Sequence, residues 1–454
     1  MCKTLFFNAW RYGKKAVSLQ CMNKEILRIA VPAMLANITI PLVGLVDVAI
    51  AGHIADASAI AGIAMATTIF DLMYWGFGFL RVGTGGMTAQ AYGANDRTNC
   101  AEILVQSSSI ALAGALLIWA IQWPFAEVVL RFMGCDAATE EFARQYFWIR
   151  TWAAPATLML MTLKGWFIGM QDTVVPMVSD LTVNIINMGC SYLMAVTEGM
   201  GVRGVALGTI VAQYSGLTVT MLLLLRKHPY AMKGMNLGQC IRWSKLRRLF
   251  VLNSNIFVRS ICFMVIYVGF TKLTTLYGTT EIALGAIVMK IFMLFSYMVD
   301  GFAYAGEALT GRFIGAKDKA SLLRAVRLLF RWSMALAAVT ALAFWGWGMD
   351  FVNLIADDAT VTDSAGELLI YIVLMPLVSA AAFMWDGIFA GATAGREIRN
   401  CMIVAVVSFV VAYYALSPWL GIHALYIAYF AHLLGRVAYL TIKFPNLNRC
   451  ISQE

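Results

Sequence analysis

The sequence predicts an all-α integral membrane protein with twelve transmembrane helices in two parallel-repeat six-helix lobes. Three observations predict it. Of 454 residues, 61% are apolar and only 13% charged, with a mean hydropathy of +0.74. Water-soluble domains carry about 25% charged residues, so an ordinary soluble enzyme, a disordered chain and a nucleic-acid module are excluded. Second, the apolar residues gather in twelve runs, most long enough to cross a bilayer at about 20 residues each. Third, the two halves repeat. One fixed offset lays Gly93-Ala94-Asn95-Asp96 on Gly315-Ala316-Lys317-Asp318, and the same offset lays Gly165-Trp166-Phe167-Ile168-Gly169 on Gly387-Ile388-Phe389-Ala390-Gly391.

In chain order the first six runs are Ile26–Ile54, Ser58–Gly83, Ala101–Trp123, Phe142–Ile168, Val174–Val196 and Val202–Leu225. The second six are Leu249–Leu276, Ile282–Leu309, Leu322–Trp347, Leu368–Phe389, Asn400–Leu416 and Ile422–Ile442. Each should be helical, because hydrocarbon offers backbone amides no partner outside their own segment. Around them we expect a basic arm at 1–23, an N-lobe at 24–226 and a linker at 227–248. A C-lobe at 249–445 and a tail at 446–454 complete the division. The arm has Lys3, Arg11, Lys14 and Lys15 but no long apolar core, so it does not read as a cleavable signal.

Loop charge gives the expected orientation. The stretch Arg226–Arg248 holds seven Lys/Arg and no acid, while Asp136, Glu140 and Glu141 share one opposite loop. Asp350, Asp357, Asp358, Asp363 and Glu367 cluster in another. The positive-inside rule places both termini and the linker in the cytoplasm; a bacterial inner membrane is the expected location. The net charge of +9 then marks cytoplasmic loops rather than a nucleic-acid partner. Nine scattered Cys, never spaced C-x-x-C, read as unpaired thiols, and four His form no metal cage. No metal and no cofactor are expected. Two lobes of like orientation suggest a site between or within them and alternating access by rocking.

Acids inside apolar runs need a reason, since a lone charge at mid-helix costs about 2.5–3.5 kcal/mol. The candidates are Asp47, Asp71, Asp180, Asp300, Glu307 and Asp386. Asp47 follows Pro41, which leaves the carbonyl of Asn37 without its usual partner and lets the helix bend. A desolvated carboxylate there suits proton or cation coupling; a neutral, hydrogen-bonded core Asp is the alternative. Asp180, Asn184 and Asn187 share one helix face at i, i+4, i+7 and could complete a polar pocket with Asp47. They could equally be interhelical glue. Asp300 and Glu307 face one way, and Lys290, Arg259 or Lys272 could offset one of them. Asn37, Asp71, Asn187, Asp300 and Glu307 are the candidate substrate contacts, and Asp47, Asp180 and Asn184 the candidate coupling group. Thirteen Trp, 17 Tyr, 26 Phe and 26 Met could also line a soft pocket for bulky cations.

The residues resemble a known family. Pro41-Leu42-Val43-Gly44-Leu45-Val46-Asp47 with Gly52-His53 looks like the first helix of multidrug and toxic compound extrusion (MATE) transporters. Residues Phe79 to Ala91 are similar to the second-helix signature of their DinF branch, and Asp300 to Leu309 and Trp385 to Thr393 match that branch in the second half. The resemblance runs from about residue 24 to 443. It implies two six-helix lobes arranged in a V, extrusion of organic cations or other amphipathic small molecules, and inward H⁺ or Na⁺ as the driving ion. It places proton coupling on Asp47. The fifth helix departs from the pattern: relatives carry an acid near Asn187-Met188, where the nearest acid here is Asp180.

The expected mechanism is antiport by a monomer without covalent chemistry. Deprotonated, inward-facing Asp47 favours a cationic substrate, and protonation on the outside releases it. The rivals are a flippase for lipid-linked sugars, a major-facilitator transporter and a membrane-embedded enzyme. A flippase calls for a basic cavity, and the recognisable intramembrane groups of the first lobe read as mostly acidic.

Overall fold

The computed structural model describes residues 19–53, 57–133, 136–231, 243–355 and 359–453, and these are overwhelmingly α-helical. The first half comprises α1 Leu19–His53, α2 Ala57–Gly76, α3 Phe79–Gly93, α4 Arg97–Met133, α5 Ala137–Arg150, α6 Ala154–Gly169, α7 Val174–Tyr192 and α8 Val202–Lys227. The second comprises α9 Trp243–Thr274, α10 Thr279–Gly315, α11 Lys319–Ile355, α12 Ala359–Gly391, α13 Gly395–Leu420 and α14 His423–Gln453. Two pairs, α2/α3 and α5/α6, are single spans broken midway, so the fourteen helices make twelve crossings. The first break falls at Phe77-Gly78, beside Gly76, where glycine removes the side chain that favours a continuous helix. The second is a 3₁₀ turn at Thr151–Ala153, ahead of Pro155 in the first turn of α6. Proline fits there because its missing N–H would be unpaired anyway.

Among the described residues, nine helical stretches are long and apolar enough to cross a bilayer, with mean hydropathy from 1.3 to 2.2. The α5/α6 span falls outside that set because its break leaves helices of 14 and 16 residues, each too short to cross alone. Most of the basic arm, the centre of the linker and the acids Asp357 and Asp358 lie outside the described residues.

The internal repeat extends to backbone conformation. The turns closing α3 and α10 place Asn95 and Lys317 at φ 61° and 55°. Those closing α6 and α12 place Gln171 and Thr393 at φ 65° and 53°. Both pairs are separated by the offset that relates the two halves. Asp96 accepts from the Asn99 amide and Asp318 from the Ser321 amide, each at 3.0 Å, capping the helix that follows. Before the last span of each half stands a glycine in a mirror-β conformation: Gly201 (φ 56°, ψ −130°) and Gly421 (φ 52°, ψ −128°). A Cβ in that region costs about 1–3 kcal/mol. Gly421→Ala should therefore lower the unfolding midpoint of detergent-solubilised protein, although nothing lies within 4 Å of its missing Cβ. An unchanged midpoint would contradict this reading of the turn.

The hydrophobic core has three main parts, and their membership shows how the halves meet. One is drawn only from the first half, around Phe70, Phe147 and Leu158. Another is drawn only from the second, around Phe270, Phe292 and Tyr429. The third mixes both and lies toward the end where α3 and α10 terminate; it includes Met87, Trp166, Phe313, Leu322, Ile398 and Leu440. The halves are thus fused at the Gly93/Gly315 end and hold separate cores at the other. Helix α10 is central, packing on α1 and α3 of the first half and on α12 of its own. Its contacts with α3 follow the repeat. A Cβ on Gly93 would run into the Arg312 carbonyl, a Cβ on Gly315 into the Gln90 carbonyl, and Gly311 meets Ala89. The repeat offset exchanges the first two contacts and maps the third onto itself. The pseudo-two-fold axis therefore passes through this seam.

Candidate functional site

Between the halves, on the far side of that seam, lies a cavity of about 400 Å³. The α2/α3 break sets Tyr74, Trp75 and Gly78 on its wall, followed by Arg81. Lys164 enters from α6, Arg259 and Phe263 from α9, Tyr297, Asp300, Tyr304 and Glu307 from α10, Phe383 and Asp386 from α12, and Arg436 from α14. Trp75 meets Phe263 and Tyr267 edge-on across the halves, at 5.8 and 5.4 Å between centroids. The wall is therefore aromatic with inset charges, the composition expected of a small-molecule site.

The charges are organised. Arg81 Nη1 donates to Glu307 Oε2 at 3.0 Å and joins the halves; the Glu307 side chain is 2% exposed. Its other oxygen is buried without a hydrogen bond and rests over Gly85, whose missing Cβ makes the room. Lys164 Nζ donates to Asp180 Oδ2 at 2.7 Å within the first half. The Tyr304 ring stands between these two bases, 4.5 Å from the Arg81 guanidinium and 5.9 Å from Lys164 Nζ. Both distances suit cation–π attraction. In the second half, Arg259 and Arg436 both donate to Asp386 Oδ2, at 3.0 and 2.6 Å. Asp300 lines the cavity and makes no hydrogen bond or ion pair among the described residues.

The candidate residues scatter around this geometry. Asp300 and Glu307 lie in the cavity, and Asp180 reaches it through Lys164. Asn184 Nδ2 donates to Thr39 Oγ1 at 2.5 Å, tying α7 to the helix that carries Asp47. The Asp47 side chain itself lies outside the described residues. Asn37 is buried and donates to the Tyr297 carbonyl at 3.3 Å, joining α1 to α10. Asn187 donates to Thr209 Oγ1 at 3.1 Å between α7 and α8, away from the cavity. Asp71 is exposed on α2 and is not on the cavity wall.

Two expectations need correcting. The first half contributes Arg81 and Lys164 to the cavity, so its intramembrane groups are not mostly acidic. The partner of Glu307 is Arg81 from the other half, not Lys290, Lys272 or Arg259, and Arg259 engages Asp386 instead. Sequence reasoning misses Lys164, Arg436 and Tyr304 when it weighs only acids as costly in the membrane. Lys164, a lone base in an apolar run, carries the same signal.

Comparison with known proteins settles the family. The MatE family model matches twice, over residues 32–193 and 256–418, once in each half. The chain belongs to the MatE family. DNA damage-inducible protein F of Escherichia coli (strain K12) is 34% identical to it over 421 residues, 91% of each chain. A multidrug resistance MATE family transporter of the MOP superfamily, solved in an outward-facing conformation, superposes with a TM-score of 0.85 at 17% identity. That match covers 97% of this chain and 99% of the other. A MOP superfamily transporter from Pyrococcus furiosus, described as having a binding pocket of reverse polarity, gives 0.84 at 16% identity, with the same coverage. This MatE chain is a multi-pass membrane transporter and not an enzyme, and its twelve crossings are those of the MATE fold.

Proposed function

We propose that this MatE transporter is a secondary antiporter in a bacterial inner membrane. It exports organic, amphipathic and mostly cationic compounds in exchange for H⁺, with Na⁺ as the alternative coupling ion. The observation that carries the reading is a cavity between two repeated halves, sealed at one end and holding one carboxylate, Asp300, with no described partner. The positive-inside rule makes the sealed end cytoplasmic, so the cavity faces outward in this conformation. Segments 24–226 and 249–445 are the rocking units and 227–248 joins them. The site is enclosed within one chain, which suits a monomer.

The aromatic wall takes the apolar body of the substrate and Asp300 its positive group. Asp47 is the coupling carboxylate: charged when inward-facing, it favours the cation; protonated from outside, it lets the cation go. A proton moving inward through a full elementary charge supplies about 2.3 kcal/mol per 100 mV of membrane potential. Asn184, bonded to Thr39, holds α7 beside the coupling helix, and Asp180, engaged by Lys164, ties α7 to α6. The bases on the wall give some support to a flippase for lipid-linked sugars. Against it, the four bases Arg81, Lys164, Arg259 and Arg436 are matched by the four acids Glu307, Asp180, Asp386 and Asp300, which leaves no overall positive charge for a pyrophosphate.

The test is ethidium efflux from energised cells, then ethidium-dependent ion flux in proteoliposomes with pH and Na⁺ gradients imposed separately. Asp47→Asn is expected to lower uncoupler-sensitive efflux at least tenfold. Full efflux in that variant would overturn the coupling assignment.

A further inference from the structure

We infer that the second-half wall of the cavity is an acid-binding subsite, in which Arg259 and Arg436 seat the carboxylate or phosphate group of an amphiphile. The inference rests on the reading of this cavity as the transport site. Arg81 and Glu307 form one neutral pair, and Lys164 and Asp180 another. The third group does not balance, because two guanidiniums share one carboxylate and both donate to the same oxygen, Asp386 Oδ2. Asp300 completes no ion pair with either arginine. Asp300 balances the count over the cavity as a whole, so the surplus positive charge is local to the Asp386 cluster.

The Arg436 side chain is 2% exposed, and its Nε is buried without a hydrogen-bond partner. A buried donor on a guanidinium without an acceptor is costly, which marks Arg436 as under-paired even with Asp386 beside it. Guanidinium suits the task, since its planar fork recognises carboxylate and phosphate with paired, charge-assisted bonds. Arg259, with 28% of its side chain exposed, is the more accessible member. Phe263 and Phe383 line the same wall and offer apolar surface to the rest of the ligand.

The repeat explains how the subsite arose on one side only. The offset between the halves lays Asp386 on Lys164, so an acid stands in the second half where the first has a base. The first half balances a base with one acid; the second surrounds an acid with two bases. With Asp300 in the same cavity, the two charges of a zwitterion have separate receptors. A purely acidic amphiphile uses the arginines alone.

The experiment uses the full-length protein in lipid nanodiscs, with tryptophan fluorescence following binding of dodecanoate, dodecyl phosphate and ethidium. At least one of the two acids should bind the wild type, and whichever binds more tightly names the preferred group. Arg259→Gln leaves Asp386 in a one-to-one pair with Arg436, so the fold keeps its buried ion pair. It should shift the ratio of acid to ethidium affinity at least tenfold toward ethidium, with Arg259→Lys partly restoring it. Lys164→Gln should shift the ratio less, because Lys164 belongs to a balanced pair. The subsite is refuted if neither acid binds the wild type, or if Arg259→Gln leaves the ratio unchanged. It is equally refuted if Lys164→Gln shifts the ratio as far, since the effect would then be the overall potential of the cavity. Acid binding without ethidium-driven ion flux would instead refute the cation-exchange reading and leave the subsite standing.

Discussion

Gly93→Leu and Gly315→Leu are each expected to reduce substrate efflux at least tenfold. The two glycines lie at the seam where α3 and α10 cross, and any Cβ there would run into the backbone carbonyl of Arg312 or Gln90. A backbone carbonyl cannot swing aside as a flexible side chain can, so the helices must separate. Overpacking of this kind costs about 1–3 kcal/mol. A difference of about 1.4 kcal/mol changes a population ratio tenfold. A perturbation confined to one of two states shifts their balance by its full amount. The closed seam exists only while the Gly93/Gly315 end is sealed, so the variants should favour the opposite conformation. Efflux reports the loss. Labelling of a Gln90→Cys variant by a membrane-impermeant thiol reagent reports the cause, and should rise in inside-out vesicles. Normal efflux with unchanged labelling would show that the seam is not a gate.

The second large effect is on stability. Arg81→Ala removes the partner of Glu307, a carboxylate whose side chain is 2% exposed and whose second oxygen is already without a hydrogen bond. Breaking a buried pair by deleting one member costs about 3–5 kcal/mol, whereas replacing both members with apolar groups is often neutral. Arg81→Ala should therefore depress the thermal midpoint of the solubilised protein markedly. Arg81→Met combined with Glu307→Met should recover most of it. Equal losses in the single and double variants would mean that the pair contributes little and that the damage is one of packing. The pair joins helices from different halves, so the single variant should also loosen the seam below it.

Much of the architecture is legible in the sequence because its determinants are local. Apolar runs define spans, glycine pairs define close crossings, and both recur at one offset; the observed helices contain nearly all of the twelve expected runs. Asp300 and Glu307 can be singled out because an acid in hydrocarbon is conspicuous on its own. Their surroundings cannot. Arg81 and Glu307 are 226 residues apart, and their meeting depends on how far α10 of one half crosses α3 of the other. The repeat holds a faint clue. The same offset lays Gly85 on Glu307, so the half that lacks the acid supplies the missing side chain against which the acid packs. Asn187 shows the opposite limit. Its spacing marks a polar face on α7, but the contact it satisfies is Thr209 on α8 rather than the cavity.

The division of the core into one shared and two private parts has a consequence for how the protein meets its surroundings. In water, prying apart a joint apolar core would expose it to solvent, and hydration would set the barrier. Within a bilayer, acyl chains are as apolar as the leucines they replace, so association is governed by packing and interhelical bonds. Under the proposed antiport cycle, rocking of the halves would exchange protein contacts for lipid contacts across much of the seam. The surrounding lipid becomes a working component of the machine, and its chain packing helps to set how readily the two ends trade places.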